Sequence, residues 1–91
     1  MKTTIQTHTF NGINYDMHFG ACYGGCDPPN KQRPNWVNSV EDTKSRKFLE
    51  ISIHESLHAC NWKASEELVT QTAYDIARLI WKMGYRLNTT K

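Results

Sequence analysis

The sequence predicts one α+β domain over residues 1–91, in which an N-terminal β-hairpin, two or three short strands in all, packs on two α-helices. Three observations support this fold class. Apolar residues alternate near the N-terminus, glycine and proline crowd the next stretch, and apolar residues then recur at helical spacing. A core built from 91 residues has a thin margin of stability, so a bound metal would help this domain to fold.

The hairpin is predicted over residues 3–19, where apolar and polar residues alternate with the period of a half-buried strand. The apolar members are Ile13, Tyr15, Met17 and Phe19. The threonine-rich segment before them also suits a strand, and Asn11-Gly12 between the two is typical of a type I′ turn. His8 and His18 are expected to be exposed on the less apolar faces of these strands.

Residues 20–35 are predicted to be a loop, because three glycines and three prolines interrupt regular structure there. The segment NWVNSV that closes this region is a candidate third strand. The pattern then becomes helical, and a helix is predicted over residues 43–60 with Asp42 or Thr43 as its N-cap.

This first helix carries two stripes at helical spacing. The apolar stripe, expected to pack in the core, consists of Leu49, Ile53, Leu57 and Cys60. The second stripe consists of Ile51, His54, Glu55 and His58. The helix is therefore expected to lie between the sheet and the second helix, with a polar site on one side.

The second stripe contains the motif HESLH, which is an HExxH pattern. Residues four apart on a helix point the same way one turn apart, so His54 and His58 can bind one zinc ion together. Glu55 lies beside them, out of reach of the metal but within reach of a water on it, which is the position of a general base. The alternative is that the two histidines are unrelated helix residues.

A second helix is predicted over residues 65–84, with Ser65 as N-cap and Gly84 after its end. Its predicted buried stripe is Val69, Ala73, Ile76, Ala77 and Ile80. Glu66 projects within that stripe and Glu67 points away from it, so Glu66 is predicted as third zinc ligand with Glu67 as fallback. The alternative is that both are favourable charges at a helix N-terminus.

Composition excludes several classes of protein. A formal charge of +2 without a basic run argues against nucleic acid binding. No signal peptide or membrane span is apparent, so we expect a cytoplasmic protein without a membrane partner; the oligomeric state is left open. Cys22, Cys26 and Cys60 are too few and uneven for a disulfide framework. The three cysteines are a candidate zinc site that competes with the HExxH site. The simpler interpretation of Cys60 is that it is a buried small residue.

Most of the chain resembles the small phage and prophage HExxH metallopeptidases. The resemblance lies in HESLHACNW, SEELV and AYDIARLIWKMGYR, and in the loop GACYGGCDPP. It extends more distantly to gluzincins and to ImmA/IrrE-type metallopeptidases. It implies a minimal zincin core with ligands His54, His58 and Glu66 and with Glu55 as base. One departure is that Thr70 stands where thermolysin-like enzymes have an aspartate, so another group must orient a ligand histidine.

The first functional hypothesis is a zinc-dependent peptidase whose peptide or protein substrate adds a strand to the edge of the small sheet. The second is a non-catalytic module that zinc stabilises and that binds a host or phage partner. The third is a redox or metal sensor that uses the three cysteines. Tyr85 is a candidate electrophilic helper at the metal, although it is more simply a core or rim aromatic.

Overall fold

The computed structural model describes residues 5–19 and 25–87, which form a four-stranded mixed sheet and two helices. The elements are β1 Thr7–Phe10, β2 Ile13–Phe19, β3 Gly25–Cys26, β4 Asn35–Asn38, α1 Arg46–Cys60 and α2 Glu66–Lys82. The strand order is β1-β2-β4-β3, with β2 and β4 parallel and the other pairs antiparallel. The predicted α+β class is confirmed. Neither helix has the length and apolar character needed to cross a bilayer within the described residues.

The predicted hairpin is present, and its turn has the predicted type I′ backbone. Asn11 and Gly12 have φ angles of 51° and 81°, and Phe10 pairs with Ile13 across the turn. Tyr15 is fully buried, and the other apolar residues of β2 pack around it, so the predicted apolar face is the one that faces the core. The first residues of the predicted range lie outside the described part of the chain.

The two strand histidines are exposed, but they lie on opposite faces of the sheet. The register pairs His8 with Tyr15, which places His8 on the core side, where its ring packs edge-to-face on Phe10 at 4.7 Å. The prediction that His8 lies on the less apolar face is therefore wrong, and it is exposed because β1 is an edge strand. His18 lies on the other face, with Nε2 2.9 Å from Oδ1 of Asn35.

The stretch predicted to be a loop, residues 20–35, contains one short strand and the start of another. In β3, Gly25 pairs with Val37 and Cys26 with Trp36, and β4 begins at Asn35. The prediction of an uninterrupted loop is therefore wrong. A two-residue strand has no periodicity of its own, so only its neighbour in the folded chain makes it a strand.

Asp27 holds the proline-rich turn against β4. Its Oδ2 accepts hydrogen bonds from the backbone N and the Nδ2 of Asn35 at 2.9 and 3.0 Å, and from Nζ of Lys31 at 3.2 Å. Partial burial raises the pKa of Asp27, but these hydrogen bonds and the Lys31 charge outweigh burial and hold the pKa below its usual value. The ionised carboxylate therefore stabilises the folded turn.

Replacing Asp27 with alanine is expected to lower the free energy of unfolding by about 1–3 kcal/mol at pH 7, because the N–H of Asn35 loses its acceptor. The pKa of Asp27 is lower in the folded chain, so its contribution is complete above the unfolded-state pKa and is lost as the pH falls through the folded-state pKa. Urea unfolding at pH 7 and in acid measures this difference. The control Asp16→Ala removes only a pair with the exposed Arg33 and should cost less than about 1 kcal/mol. An Asp27 effect of equal size at both pH values would contradict the prediction.

Trp36 of β4 joins the sheet to α1. Its side chain is 2% exposed and packs in one buried cluster with Tyr15 and Ala59. Nε1 donates a hydrogen bond to Oγ of Ser56 at 3.2 Å, and the ring lies edge-to-face on Phe19 with centroids 5.5 Å apart. An indole that fills the core and also satisfies its N–H is a strong anchor for the helix.

Asn38, at the end of β4, is a second anchor and is fully buried. Its Nδ2 donates to the carbonyl of Phe48 and to Oγ of Ser52, both at 2.9 Å, and its Oδ1 accepts from N of Val40 at 3.1 Å. Both N–H groups and the oxygen of the amide therefore have hydrogen-bond partners, which offsets the cost of burying it. These bonds set the rotation of α1 about its axis.

α1 begins at Arg46 rather than at the predicted residue 43. Oγ of Ser45 accepts from N of Phe48 at 3.1 Å, so Ser45 is the N-cap. Asp42 instead closes the turn before the helix, where its carbonyl accepts from the N and Oγ of Ser45 at 3.1 and 2.7 Å. The prediction of Asp42 or Thr43 as N-cap is therefore wrong.

The buried face of α1 also differs from the predicted apolar stripe. The buried residues are Phe48 and Ala59. Of the predicted stripe, Leu49, Ile53 and Leu57 are half-buried and Cys60 is exposed. The hydrogen bonds that Ser52 and Ser56 make with β4 turn their side of the helix toward the sheet. The orientation of α1 is therefore set by polar residues that bond to specific partners in β4. The positions of apolar residues along the helix do not reveal it.

α2 has the predicted residues at its two ends, although its helical residues, Glu66–Lys82, are fewer than the predicted 65–84. Oγ of Ser65 accepts from N of Leu68 at 3.1 Å, and Gly84 has a φ of 94°. The N of Gly84 donates to the carbonyl of Trp81 and the N of Tyr85 to that of Ile80, which is a Schellman motif.

α2 packs against α1 through small side chains. Val69, Ala73 and Ala77 are buried as predicted, and Ile80 is half-buried, but Ile76 is 38% exposed, so that part of the predicted stripe is wrong. Within the described ranges, α2 contacts α1 and none of the strands. α1 is thus held between the sheet and α2.

Candidate metal centre

His54, His58 and Glu66 meet where the end of α1 lies beside the start of α2. Oε2 of Glu66 is 2.9 Å from Nε2 of His54, and Oε1 is 2.9 Å from Nε2 of His58. The two imidazole rings have centroids 5.0 Å apart. One candidate ligand atom from each of the three residues lies within 4.8 Å of the others. The three residues predicted as ligands are therefore brought together, and both carboxylate oxygens face an imidazole nitrogen.

Local structure explains this convergence. The i, i+4 spacing places both imidazoles on one side of α1. Asn61 ends the helix, with its N–H donating to the carbonyl of Leu57, and a short turn leads to the N-cap Ser65. Glu66 is then the first residue of α2, which runs back along α1 close to its last turn.

The burial of the three residues is uneven. The side chains of His54 and His58 are 16% and 17% exposed, whereas that of Glu66 is 69% exposed. The prediction that Glu66 lies on the buried face of α2 is therefore wrong. The first turn of α2 extends past the packed residues, and the side chain of Glu66 reaches back across the surface. Among the described residues, the fallback Glu67 is not part of the cluster.

Thr70 makes a contact that sequence reasoning did not anticipate. Its Oγ1 donates to Oε2 of Glu66 at 3.4 Å, four residues back on α2. The residue at the position of the missing aspartate thus contacts the carboxylate of the third candidate ligand. It limits the freedom of the exposed Glu66 side chain.

The two glutamates of the site have pKa values shifted in opposite directions. Partial burial raises the pKa of Glu66, but the charges and hydrogen bonds of His54 and His58 outweigh it and lower the pKa overall. Burial is the main cause that raises the pKa of Glu55, with the charge of Glu66 adding to it and those of His54 and His58 opposing. Glu66 is thus held as an anion, and Glu55 holds a proton more readily than an ordinary glutamate does.

Cys26 of β3 is close enough to Glu55 of α1 for the charge of the glutamate to act on its thiol. Burial and the charge of Glu55 raise the pKa of the Cys26 thiol to about 12, so it is protonated at neutral pH. The hydroxyl of Tyr15 is fully buried, and burial together with the neighbouring Cys26 raises its pKa. The charge of Glu55 thus acts on the Cys26 thiol, and the charges of His54, His58 and Glu66 act on Glu55.

The competing cysteine site is not formed by the described residues. Cys26 and Cys60 are free, and no group of three potential ligands among the described residues includes either of them. The prediction that Cys60 is a buried small residue is wrong, since it is exposed. Cys22 lies outside the described ranges.

Trp62, and not the predicted Tyr85, lies beside the cluster in the described part of the chain. The ring of Trp62 is 6.0 Å from that of His58, and its side chain is 42% exposed. Tyr85 follows the C-terminal end of α2, whereas Glu66 begins that helix, and 17 residues separate the two ends by about 25 Å. Tyr85 is therefore excluded as a helper at the cluster.

The donor set fits zinc. Two imidazole nitrogens and a carboxylate oxygen are the ligands of one common class of catalytic zinc site, and in a tetrahedral site they lie about 3.3 Å apart. The pairs at 2.9 Å and the spread of 4.8 Å bracket that separation. Of the three side chains, Glu66 is the exposed one, so it is the one with most freedom to adjust to an ion.

A cavity of about 770 Å³ lies elsewhere, against the side of α1 that carries Leu49, Ser52 and Ser56. On the helix these residues are turned by about 140° or more from His54. Its walls include Phe19 and Trp81, and none of the three candidate ligands lines it. This cavity is thus separate from the metal centre, whose Glu66 side chain is mostly exposed.

No family model, curated protein or solved structure matches this chain. The resemblance to phage HExxH metallopeptidases therefore stays a prediction from motifs.

Proposed function

We propose that this chain is a zinc-dependent peptidase in which His54, His58 and Glu66 hold the ion. The supporting observation is that two adjacent elements bring both imidazoles and one carboxylate within 4.8 Å of one another. Burial of the imidazoles orients them, and the N-terminal position of Glu66 lets its carboxylate reach both.

Glu55 is the general base in this proposal. A bound zinc ion supplies the Lewis acidity that activates water and polarises a carbonyl. Glu55 follows His54 directly on α1, and its raised pKa makes it a better proton acceptor than a solvated glutamate. It accepts the proton of the attacking water and later gives it to the leaving amine.

The proposed substrate is a peptide or an exposed protein segment that adds a strand to β3. Among the described strands β3 is an edge of the sheet, and the charge of Glu55 acts on its Cys26, so in this proposal a strand added at β3 would run near the general base. A cytoplasmic location belongs to this proposal, because the free thiols of Cys26 and Cys60 suit a reducing compartment.

A non-catalytic, zinc-stabilised binding module is the second candidate. It is favoured by the exposure of Glu66 and by the separation of the main cavity from the cluster. An exposed site of this kind can hold an ion that links α1 to α2, but it offers a substrate few walls to bind against. The candidate partner would then be a host or phage protein.

Zinc content and cleavage, measured together, test the proposal. Wild-type protein purified without chelator should contain one zinc per chain and should cleave members of a peptide library, with cleavage lost after chelation and restored by zinc. His58→Ala should lose both. The matched control His18→Ala changes an exposed histidine whose Nε2 lies against Asn35, and it should keep both. Stoichiometric zinc without any cleavage would favour the binding module, and zinc-free wild-type protein would exclude both candidates.

A further inference from the structure

The cavity of about 770 Å³ lies between the hairpin, α1 and the end of α2 with the residues that follow it. α2 contacts no described strand, which leaves this space open beside α1. Its volume falls in the usual range of small-molecule sites, about 300–1,000 Å³. We call it the hairpin cavity.

The walls of the hairpin cavity are mainly apolar and aromatic. Trp36 and Phe48 line it and are only 2% and 8% exposed, so one end of the cavity reaches the core. The other apolar walls include Met17 of β2, Leu49 of α1 and Ile80 of α2. A ligand that fills this space therefore needs an alkyl or aromatic body.

The charged side chains that line the hairpin cavity are positive. Lys44 and Arg86 line it, and no aspartate or glutamate of the described chain does. The residues outside the described ranges contain no acidic side chain that could add one. Asp42, the acid closest in sequence to Lys44, accepts a hydrogen bond from N of Lys44 at 3.2 Å and is not part of the lining. Charge of one sign beside apolar walls attracts a group of the opposite sign, here an anion.

The guanidinium of Arg86 is already ordered at the wall of the cavity. Its Cζ lies 3.4 Å from the centroid of the Trp81 ring, and Nη1 donates to the carbonyls of Trp81 and Tyr85 at 3.0 and 2.9 Å. Both bonds use Nη1, so they leave Nη2 and Nε to bind an anion. Since the side chain is ordered beforehand, pairing with a carboxylate costs little further conformational entropy.

We propose that the hairpin cavity binds one molecule of an amphiphilic carboxylate, such as a medium-chain fatty acid. The alkyl or aromatic body lies against the apolar walls toward Trp36. The carboxylate pairs with Arg86, and Lys44 adds positive charge at the exposed side of the cavity. None of the three candidate zinc ligands lines the cavity, so this inference depends neither on zinc nor on catalysis.

Three ligands with the same alkyl chain test the chemical class: decanoate, decanol and decyltrimethylammonium, each below its solubility and micelle limits. Titration calorimetry with the full chain should show saturable binding of one decanoate per chain. Decanoate should bind about fivefold more tightly than decanol, the upper end of what an exposed ion pair contributes. Decyltrimethylammonium should bind more weakly than decanol, because the lining charges repel it.

The indole N–H signals in the NMR spectrum locate the bound decanoate. Trp36 and Trp81 line the hairpin cavity and should shift on titration, whereas Trp62 lies beside His58 and should not. A shift of Trp62 without shifts of the other two would place decanoate at the metal cluster and overturn the inference.

Substitutions separate the charged group from the apolar walls. Arg86→Gln should weaken decanoate about fivefold and leave decanol unchanged. The matched control Arg78→Gln changes an arginine that also lies over an aromatic ring, Tyr74 at 5.2 Å, but does not line the cavity, and both affinities should stay unchanged. Leu49→Trp places a larger side chain in the cavity and should abolish binding of both ligands, with circular dichroism establishing that the variant is folded.

Three results would overturn the proposal. They are a wild-type chain without saturable decanoate binding, equal wild-type affinities for decanoate and decanol, and full decanoate affinity in Arg86→Gln. Arg86 is exposed, so its substitution keeps the fold and the last result stays decisive even if Leu49→Trp unfolds the chain.

Discussion

Glu55→Gln is expected to reduce zinc-dependent peptide cleavage by about 10²–10⁴-fold while the chain still binds one zinc. Glutamine matches glutamate in size but cannot accept a proton at neutral pH. Glu55 lies outside the His54, His58 and Glu66 cluster, so its replacement removes no ligand. The loss should therefore appear in kcat/KM and not in zinc content.

Glu67→Gln is the matched control, since Glu67 is an exposed glutamate beside the cluster but not in it. It should keep both zinc and cleavage. Full activity of Glu55→Gln with bound zinc would show that Glu55 is not the base, and zinc loss in Glu67→Gln would transfer the ligand role.

Trp36→Ala is expected to lower the free energy of unfolding by about 3–5 kcal/mol, since it empties the centre of the buried cluster. The substitution also removes the hydrogen bond to Ser56 and the edge-to-face contact with Phe19. Small domains are stable by about 5–15 kcal/mol, so the variant is expected to be partly unfolded on warming. Urea and thermal unfolding followed by far-UV circular dichroism measure the change.

Trp62→Ala is the control for Trp36→Ala. Trp62 is 42% exposed on the turn between the helices, so its removal should cost less than about 1 kcal/mol. Trp36→Phe keeps a ring in the core, so its loss of unfolding free energy should lie between those of Trp36→Ala and Trp62→Ala. Equal effects of Trp36→Ala and Trp62→Ala would contradict the assignment of Trp36 as the anchor between β4 and α1.

Local signals predicted the elements whose conformation their own residues determine. Asn11-Gly12 supplies the positive φ angles of the hairpin turn, and the alternation of β2 sends Tyr15 to the core. Ser65 and Gly84 mark the ends of α2 through bonds to residues no more than five positions away. Each of these signals depends only on residues that are close together in the sequence. It can therefore be recognised without knowing the fold.

Elements that depend on distant partners were predicted poorly. β3 exists only because Cys26 pairs with β4, and the rotation of α1 depends on bonds from β4 to Ser52 and Ser56. An apolar stripe on α1 therefore did not identify its buried face. The same dependence on tertiary packing explains why the exposure of Glu66 was not predicted. Its place in the apolar stripe of α2 did not reveal that the first turn of the helix is exposed.

The sequence by itself determined the residue types of the candidate site and their spacing. His54 and His58 must share one side of any helix that contains them, because four residues make slightly more than one turn. Only the tertiary structure decided that Glu66, and not Glu67, faces both imidazoles and that Glu55 is half-buried beside Cys26. Those facts depend on how α2 and the sheet pack on α1, through side chains far apart in the chain, so no local pattern encodes them.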